Sequence, residues 1–194
     1  MAAGTTAVTF DDGPHPQGTP AVLDALDRLG WAATFFLIGE QARRYPDIVR
    51  ETVRRGHRVA VHGDRHDYLI GRTPTAAGAD LNRAFTGIAE LTDAVPVWWR
   101  PPYGVLSGPA LLAARQLRLR PILWSAWGRD WRSLATPDSV VTDLCRGRLN
   151  GGTVLLHDSD VMSAPGSWRT TVAALPLLAE HVAAAGLRVQ ALPQ

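Results

Sequence analysis

The sequence predicts an α/β fold built on a parallel sheet, and three observations predict it. Short apolar runs rich in β-branched and aromatic residues alternate with longer segments of helical period. The runs are apolar enough for strands covered on both faces, which is how strands joined by helices pack. Threonine–proline pairs and glycines punctuate the helical segments where helices start and stop. At 194 residues and 46% hydrophobic, the chain suffices for one substantial core, so residues 1–194 are read as a single domain.

Seven runs qualify as strands: 6–10 (TAVTF), 32–37 (AATFFL), 57–62 (HRVAVH), 96–99 (PVWW), 121–125 (PILWS), 153–157 (TVLLH) and 187–191 (LRVQA). After the first run, Thr19-Pro20 predicts an N-cap followed by proline at the first helical position. Val22, Leu23, Leu26 and Leu29 form one apolar face, and Gly30 ends the helix. Gly56 closes the helix before the third strand. Thr73-Pro74 opens a helix reaching about Thr92, Thr136-Pro137 repeats the entry signal, and Gly186 closes the helix before the last strand. Periodicity alone leaves the sheet either open and doubly wound or closed into a barrel.

Composition removes several function classes. All 20 basic residues are arginine, so Schiff-base lysine chemistry and a P-loop lysine are excluded. The net charge is +2 and basic runs stop at pairs such as Arg43-Arg44, which argues against nucleic acid as a partner. Cys145 is the only cysteine, so a metal site must be built from His, Asp and Glu. No run of about 18 apolar residues is present to span a membrane. The N-terminal MAAGTTAVTF lacks the charge and apolar stretch of an export signal. A soluble protein is expected, cytoplasmic or, if a signal has been trimmed away, in the cell wall or outside the cell.

Five motifs follow five of the strands. Asp11-Asp12-Gly13-Pro14 has the composition of a simple turn, but its place at a strand's C-terminal end gives the adjacent carboxylates separate tasks. His62 and His66 end the third strand; alone they would be surface histidines, but a loop can fold both imidazoles around one ion. Two imidazoles and one carboxylate, Asp12, make an open three-ligand site with room for water, and Asp11 stands beside it to take a proton. Arg100-Pro101-Pro102-Tyr103-Gly104 follows strand four, where Arg100 would hold Asp11 ionised. Residues 124–131 read WSAWGRDW, three tryptophans in eight residues and a wall on which sugar rings stack. His157 and Asp158 end the sixth strand, where a histidine close to a carboxylate has a raised pKa and serves as general acid. Functional residues gathered from the C-terminal ends of many strands favour the barrel and point to hydrolysis of an acyl bond at a metal.

As an ordered set, TFDDGP at 9–14, the histidines at 62 and 66, RPPYG at 100–104, the DW pair at 130–131 and TVLLHD at 153–158 resemble the polysaccharide deacetylases with the NodB-homology domain, carbohydrate esterase family four. The resemblance runs from about residue 6 to 192. It implies a distorted (β/α)7 barrel, an incomplete TIM-like barrel of parallel strands with outer helices. It implies a divalent metal, zinc before cobalt, nickel or manganese, held by Asp12, His62 and His66. By the same similarity Asp11 is the catalytic base, Arg100 orients it, His157 is the acid and Asp130 its partner. Tyr103 would donate its backbone N–H to the oxyanion, while Trp131 and Leu155 line the acetyl pocket. Three positions depart from the family pattern: Val61 and Gly63 replace polar residues around the first histidine, and Trp127 stands where an additional aspartate is usual, at the pocket's edge.

The expected activity is removal of acetyl groups from N-acetylated sugars such as chitin, chitooligosaccharides or peptidoglycan N-acetylglucosamine, with an acetylated glycan as partner. The alternatives are O-acetyl esters such as those of xylan, a small acetylated metabolite or lipid-linked sugar, and a silent sugar-binding homologue. The segment after strand six offers Asp158, Ser159, Asp160 and Trp168 as substrate-loop residues.

Overall fold

The fold was described from a computed structural model covering residues 1–194. Eight strands form one parallel sheet: β1 (Thr5–Asp11), β2 (Thr34–Leu37), β3 (Arg58–Val61), β4 (Trp98–Trp99), β5 (Arg120–Pro121), β6 (Ala126–Trp127), β7 (Gly152–His157) and β8 (Arg188–Gln190). Their order is β5-β4-β3-β2-β1-β7-β6, with β8 beside the first half of β1, below β2. Seven helices connect them: α1 (Gly18–Leu29), α2 (Gly39–Arg44), α3 (Pro46–Arg54), α4 (Pro74–Thr92), α5 (Gly108–Gln116), α6 (Pro137–Cys145) and α7 (Ser167–Ala184). The result is the expected incomplete barrel, with helices outside and no ladder between β5 and β6.

Period-two alternation explains how this ring presents a site. Val8, Phe10, Phe35, Leu37, Val61, Trp99, Val154 and Leu156 belong to the large core beneath the helices. Residues of the opposite parity, Ala7, Phe36 and Ala60, form a small cluster with Leu192 on the inner face. Continuing that parity to the strand ends brings Thr9 and Asp11, His62, Arg100, Leu155 and His157 to the interior at the C-terminal rim. All seven residues of β1 are buried, as a central strand requires.

The helix signals hold at most positions. Thr73 and Thr136 cap α4 and α6 by accepting from Ala76 N–H and Ser139 N–H, both at 3.2 Å. Gly30 adopts φ 65°, the left-handed geometry of a helix stop. The Thr19 expectation is corrected: α1 starts two residues earlier, at Gly18 rather than Pro20, and Thr19 lies inside it. Its hydroxyl is engaged instead with His15 N–H and the Asp158 carboxyl.

The fifth run is also corrected. Residues 121–125 do not form one continuous strand; β5 (Arg120–Pro121) stops at Pro121, which has no N–H to extend a ladder, and β6 begins only at Ala126. The chain then crosses from one end of the sheet to the other. Ile122 N–H donates to Trp99 O at 2.9 Å and Ser125 N–H to Thr153 O at 2.9 Å, after which β6 pairs with β7. One expected strand is therefore two short ones joined by a bridge across the barrel's gap. The fourth strand is likewise shorter than expected, starting at Trp98.

Candidate metal centre and active site

Two strand ends bring the ligand atoms together, and a third loop closes beside them. Asp12 follows β1 with φ 73°, and His66 sits at φ 59° in the loop after β3. Tyr103, on the 3-10 turn Pro102–Gly104 after β4, has φ 59°. Left-handed backbone at non-glycine residues is uncommon and costs energy, so its recurrence on one rim marks a constrained site.

Asp12, His62 and His66 are buried, and one ligand atom from each lies within 4.8 Å of the other two. Asp12 Oδ1 is 3.4 Å from His62 Nε2 and 3.1 Å from His66 Nε2. His62 Nδ1 is 2.8 Å from the Arg100 carbonyl, which can only accept, so Nδ1 carries the proton when the ring is neutral and Nε2 turns a bare lone pair toward Asp12. Lone pair then faces carboxylate across a buried gap, an arrangement that needs a cation. These donors fit a zinc-like ion: two imidazole nitrogens, one carboxylate oxygen, and a backbone carbonyl setting the tautomer. Burial alone would raise the Asp12 pKa, but the neighbouring His62, His66 and His157, wherever protonated in the metal-free site, hold it well below the carboxylate range. Burial would lower His62, yet the Asp11 and Asp12 carboxylates leave it raised.

The loop carrying the two histidines is clamped from behind. Asp64, between them, is 1% exposed and bridges Arg43 of α2 (Nη2–Oδ1, 2.8 Å) and Arg83 of α4 (Nε–Oδ2, 2.9 Å). Its N–H donates to Asp80 Oδ2 at 3.0 Å. The first N–H groups of α2, on Gly39 and Glu40, donate to the carbonyls of Gly63 and Asp64 at 3.0 and 2.9 Å. Gly63 takes φ 83°, which suits a residue without Cβ.

Beside the metal group, Arg100 is fully buried and donates from Nη1 to Asp11 Oδ1 at 2.6 Å and to Thr9 Oγ1 at 2.9 Å. Its guanidinium lies over the Phe36 ring, 4.0 Å from the centroid. Burial lowers the Arg100 pKa against the pull of Asp11; arginine keeps its charge nonetheless.

On the other side, Asp130 is 0% exposed and accepts three hydrogen bonds. They come from His157 Nδ1 (2.8 Å), His157 N–H (2.7 Å) and Thr171 Oγ1 (2.7 Å). Burial lowers the His157 pKa, but the Asp130 charge and hydrogen bond, with Asp12 and Asp11 beyond, push it up to about 10. The ring is therefore an imidazolium at neutral pH, with Nε2 3.9 Å from Asp12 Oδ2.

Asp11, Asp12, His62, His66 and His157 open into a cavity of about 270 Å³ whose apolar side is Trp124, Trp127, Trp131 and Leu155. Trp127 stacks on Trp131 at 4.7 Å between centroids, and Trp131 meets His157 edge-on at 5.8 Å. Tyr103 lines the same cavity. Arg100 and Asp130 do not; they stand behind Asp11 and His157.

The expected substrate-loop residues lie elsewhere. Asp158 and Ser159 are 0% exposed, with Asp158 packed under Gly13 and hydrogen-bonded to Thr19. Asp160 accepts from Gly166 N–H and faces His15, bracing the loop, and Trp168 packs against Gly18 of α1. Met162 and Ser163 are what this segment sends to the cavity. The sequence reading also missed Asp64, Arg43, Arg83, Thr9 and Thr171. Asp64 alone carried a signal, as an acid between two candidate ligands.

Comparison with known proteins agrees with this geometry. A polysaccharide deacetylase family model matches residues 1–122. A chitooligosaccharide deacetylase of Azorhizobium caulinodans is 32% identical over 193 residues, 96% of this chain and 91% of that protein. A peptidoglycan-N-acetylglucosamine deacetylase of Bacillus cereus is 34% identical over 156 residues, 78% of this chain and 71% of that protein. Among solved structures, a family 4 carbohydrate esterase from Streptomyces lividans in complex with acetate superposes with a TM-score of 0.86 at 30% identity, covering 97% of this chain and 93% of that one.

Proposed function

Because the chain belongs to the polysaccharide deacetylase family, we propose that it hydrolyses the acetamide of N-acetylglucosamine units in a chitooligosaccharide or peptidoglycan-type glycan, releasing acetate and a free amine. The observation that carries this reading is the facing pair of opposite proton carriers. Asp11, held by Arg100, and His157, held by Asp130, flank Asp12, His62 and His66 at one cavity. The named relatives act on these two glycan types, and the tryptophan wall suits a sugar.

Asp12, His62 and His66 would hold a zinc-like ion, which when bound would supply Lewis-acid polarisation and lower the pKa of water toward neutrality. Asp11 accepts the proton of the attacking water, and Arg100 holds that carboxylate in place. The backbone N–H of Tyr103 donates to the oxygen that becomes negative as the carbonyl carbon turns tetrahedral. His157 gives its proton to the departing nitrogen, which leaves as an amine, and Asp130 stabilises the imidazolium until that moment. Trp131 and Leu155 flank the acyl methyl and exclude water.

Acetate release is to be measured on N-acetylglucosamine oligomers, N-acetylated peptidoglycan and O-acetylated xylan, with zinc or cobalt added and with excess chelator. Metal-dependent release from the N-acetylated glycans that Asp11→Asn abolishes is the expected outcome. Release from xylan alone, or full activity of Asp11→Asn, would overturn the proposal.

A further inference from the structure

The cavity is small for a glycan. Its volume of about 270 Å³ falls just below the range of small-ligand sites, roughly 300–1,000 Å³, which leaves room for about one sugar ring with its acyl group. The remaining units of a chain must lie on the rim, and what the rim offers them is readable.

The Tyr68 ring stacks on Tyr103 with centroids 3.9 Å apart and planes 10° from parallel. Tyr103 in turn meets His66 edge-on at 4.5 Å and lines the cavity. Tyr68 remains 53% exposed although Tyr103 covers one of its faces. Its other face is open. An exposed tyrosine alone says little, but this one continues the cavity's wall outward.

The chain on either side of Tyr68 is also anchored, while the ring itself rests on Tyr103. Leu69, next in the chain, is 4% exposed in the core, and its carbonyl accepts from Ser107 Oγ at 3.2 Å. Asp67, on the other side, pairs with Arg72 at 3.0 Å. A preordered aromatic face presents contact area at little entropic cost, and the apolar face of a pyranose ring is its natural partner.

We propose that Tyr68 is a stacking platform for the sugar unit adjoining the one whose acetamide enters the cavity, and that it makes the protein prefer oligomers to single sugars. This rests on the deacetylase reading above, and the test keeps the two apart. Calorimetric titrations of N-acetylglucosamine and its tetramer are compared for the wild type, Tyr68→Ala and Tyr68→Phe, with acetate release measured separately. Tyr68→Ala is expected to weaken tetramer binding about fivefold, in line with an aromatic stack, and to leave the monomer unaffected. Tyr68→Phe keeps the ring and the affinity. Unchanged tetramer affinity in Tyr68→Ala, or an equal loss for monomer and tetramer, overturns the platform while acetate release leaves the catalytic reading standing. Tyr68-dependent tetramer binding with no acetate released from any glycan supports the platform and overturns the catalytic reading instead.

Discussion

Asp11 and His157 are register partners, directly opposite one another at the C-terminal ends of the adjacent parallel strands β1 and β7. The spacing between the proposed proton acceptor and proton donor is thus set by backbone hydrogen bonds rather than by flexible loops. A displaced carboxylate should accordingly be costly. Asp11→Glu, which keeps the charge but moves it outward by one methylene, is expected to lower kcat about 100-fold. Zinc affinity should hold within a few-fold, because Asp12, His62 and His66 are unchanged. Kinetics at saturating zinc, with a chelator competition alongside, check both halves.

Asp130→Asn removes the anion beside His157 and should bring its pKa down from about 10. A histidine acid works only while protonated, so the alkaline limb of kcat/KM is expected to move to lower pH by about 1–3 units. Stability changes with the same sign. A histidine raised from 6.5 to about 10 stabilises the metal-free fold below pH 6.5 and loses that contribution as pH rises toward 10. In Asp130→Asn this decline should be largely gone from pH-dependent denaturation curves.

Asp64→Ala cuts the histidine loop away from Arg43 and Arg83 without touching a ligand atom. Supports of this kind are typically worth about 10–100-fold in metal affinity, and a loss in that range is expected by zinc competition. Activity at saturating zinc should recover far more than it does for His62→Ala. Unaltered zinc affinity would mean that the clamp does not act on the metal group.

Asp158 is a buried acid that does not line the cavity. Burial raises its pKa to about 7 despite the Thr19 hydrogen bond. The fold favours its protonated form, so its contribution to stability is full below the ordinary 3.8 and is lost as pH rises through 7. Asp158→Asn removes that loss. Thermal melts should show the variant several degrees above wild type at pH 8, with the difference closing toward pH 4.

Much of this was legible in the sequence because the chemistry sits at strand ends. A turn such as DDGP after an apolar run, or a histidine–aspartate pair closing one, is local, and strand periodicity then assigns it to a face. Asp11, Asp12, His62, His66 and His157 could therefore be placed on one rim from short stretches of chain, whereas Tyr103 and Leu155 came from the family resemblance. Asp64 with Arg43 and Arg83, and Asp130 with Thr171, depend on helices packing over long sequence separations, which a single sequence does not encode as pattern. The same limit explains the error at 121–125. That stretch has strand composition, but Pro121 and the need to cross the ring overrode it. Asp158 was misjudged for a related reason: an acidic, small-residue segment resembles an exposed loop until Gly13 and Thr19 are seen to close over it.

The crossing at 122–125 has one more consequence. Arg100 reaches across it, with Nε and Nη2 each 3.4 Å from the carbonyls of Ile122 and Leu123, while Nη1 grips Asp11. In a fully closed ring those carbonyls would be drawn into inter-strand pairing and turned away from the guanidinium. The missing ladder is what leaves them available, and Arg100 acts as a fastener over the seam. The imperfection of the barrel and the placement of Asp11 are thereby one arrangement, and a sequence change that zipped the seam shut would loosen the carboxylate on the far side of that arginine.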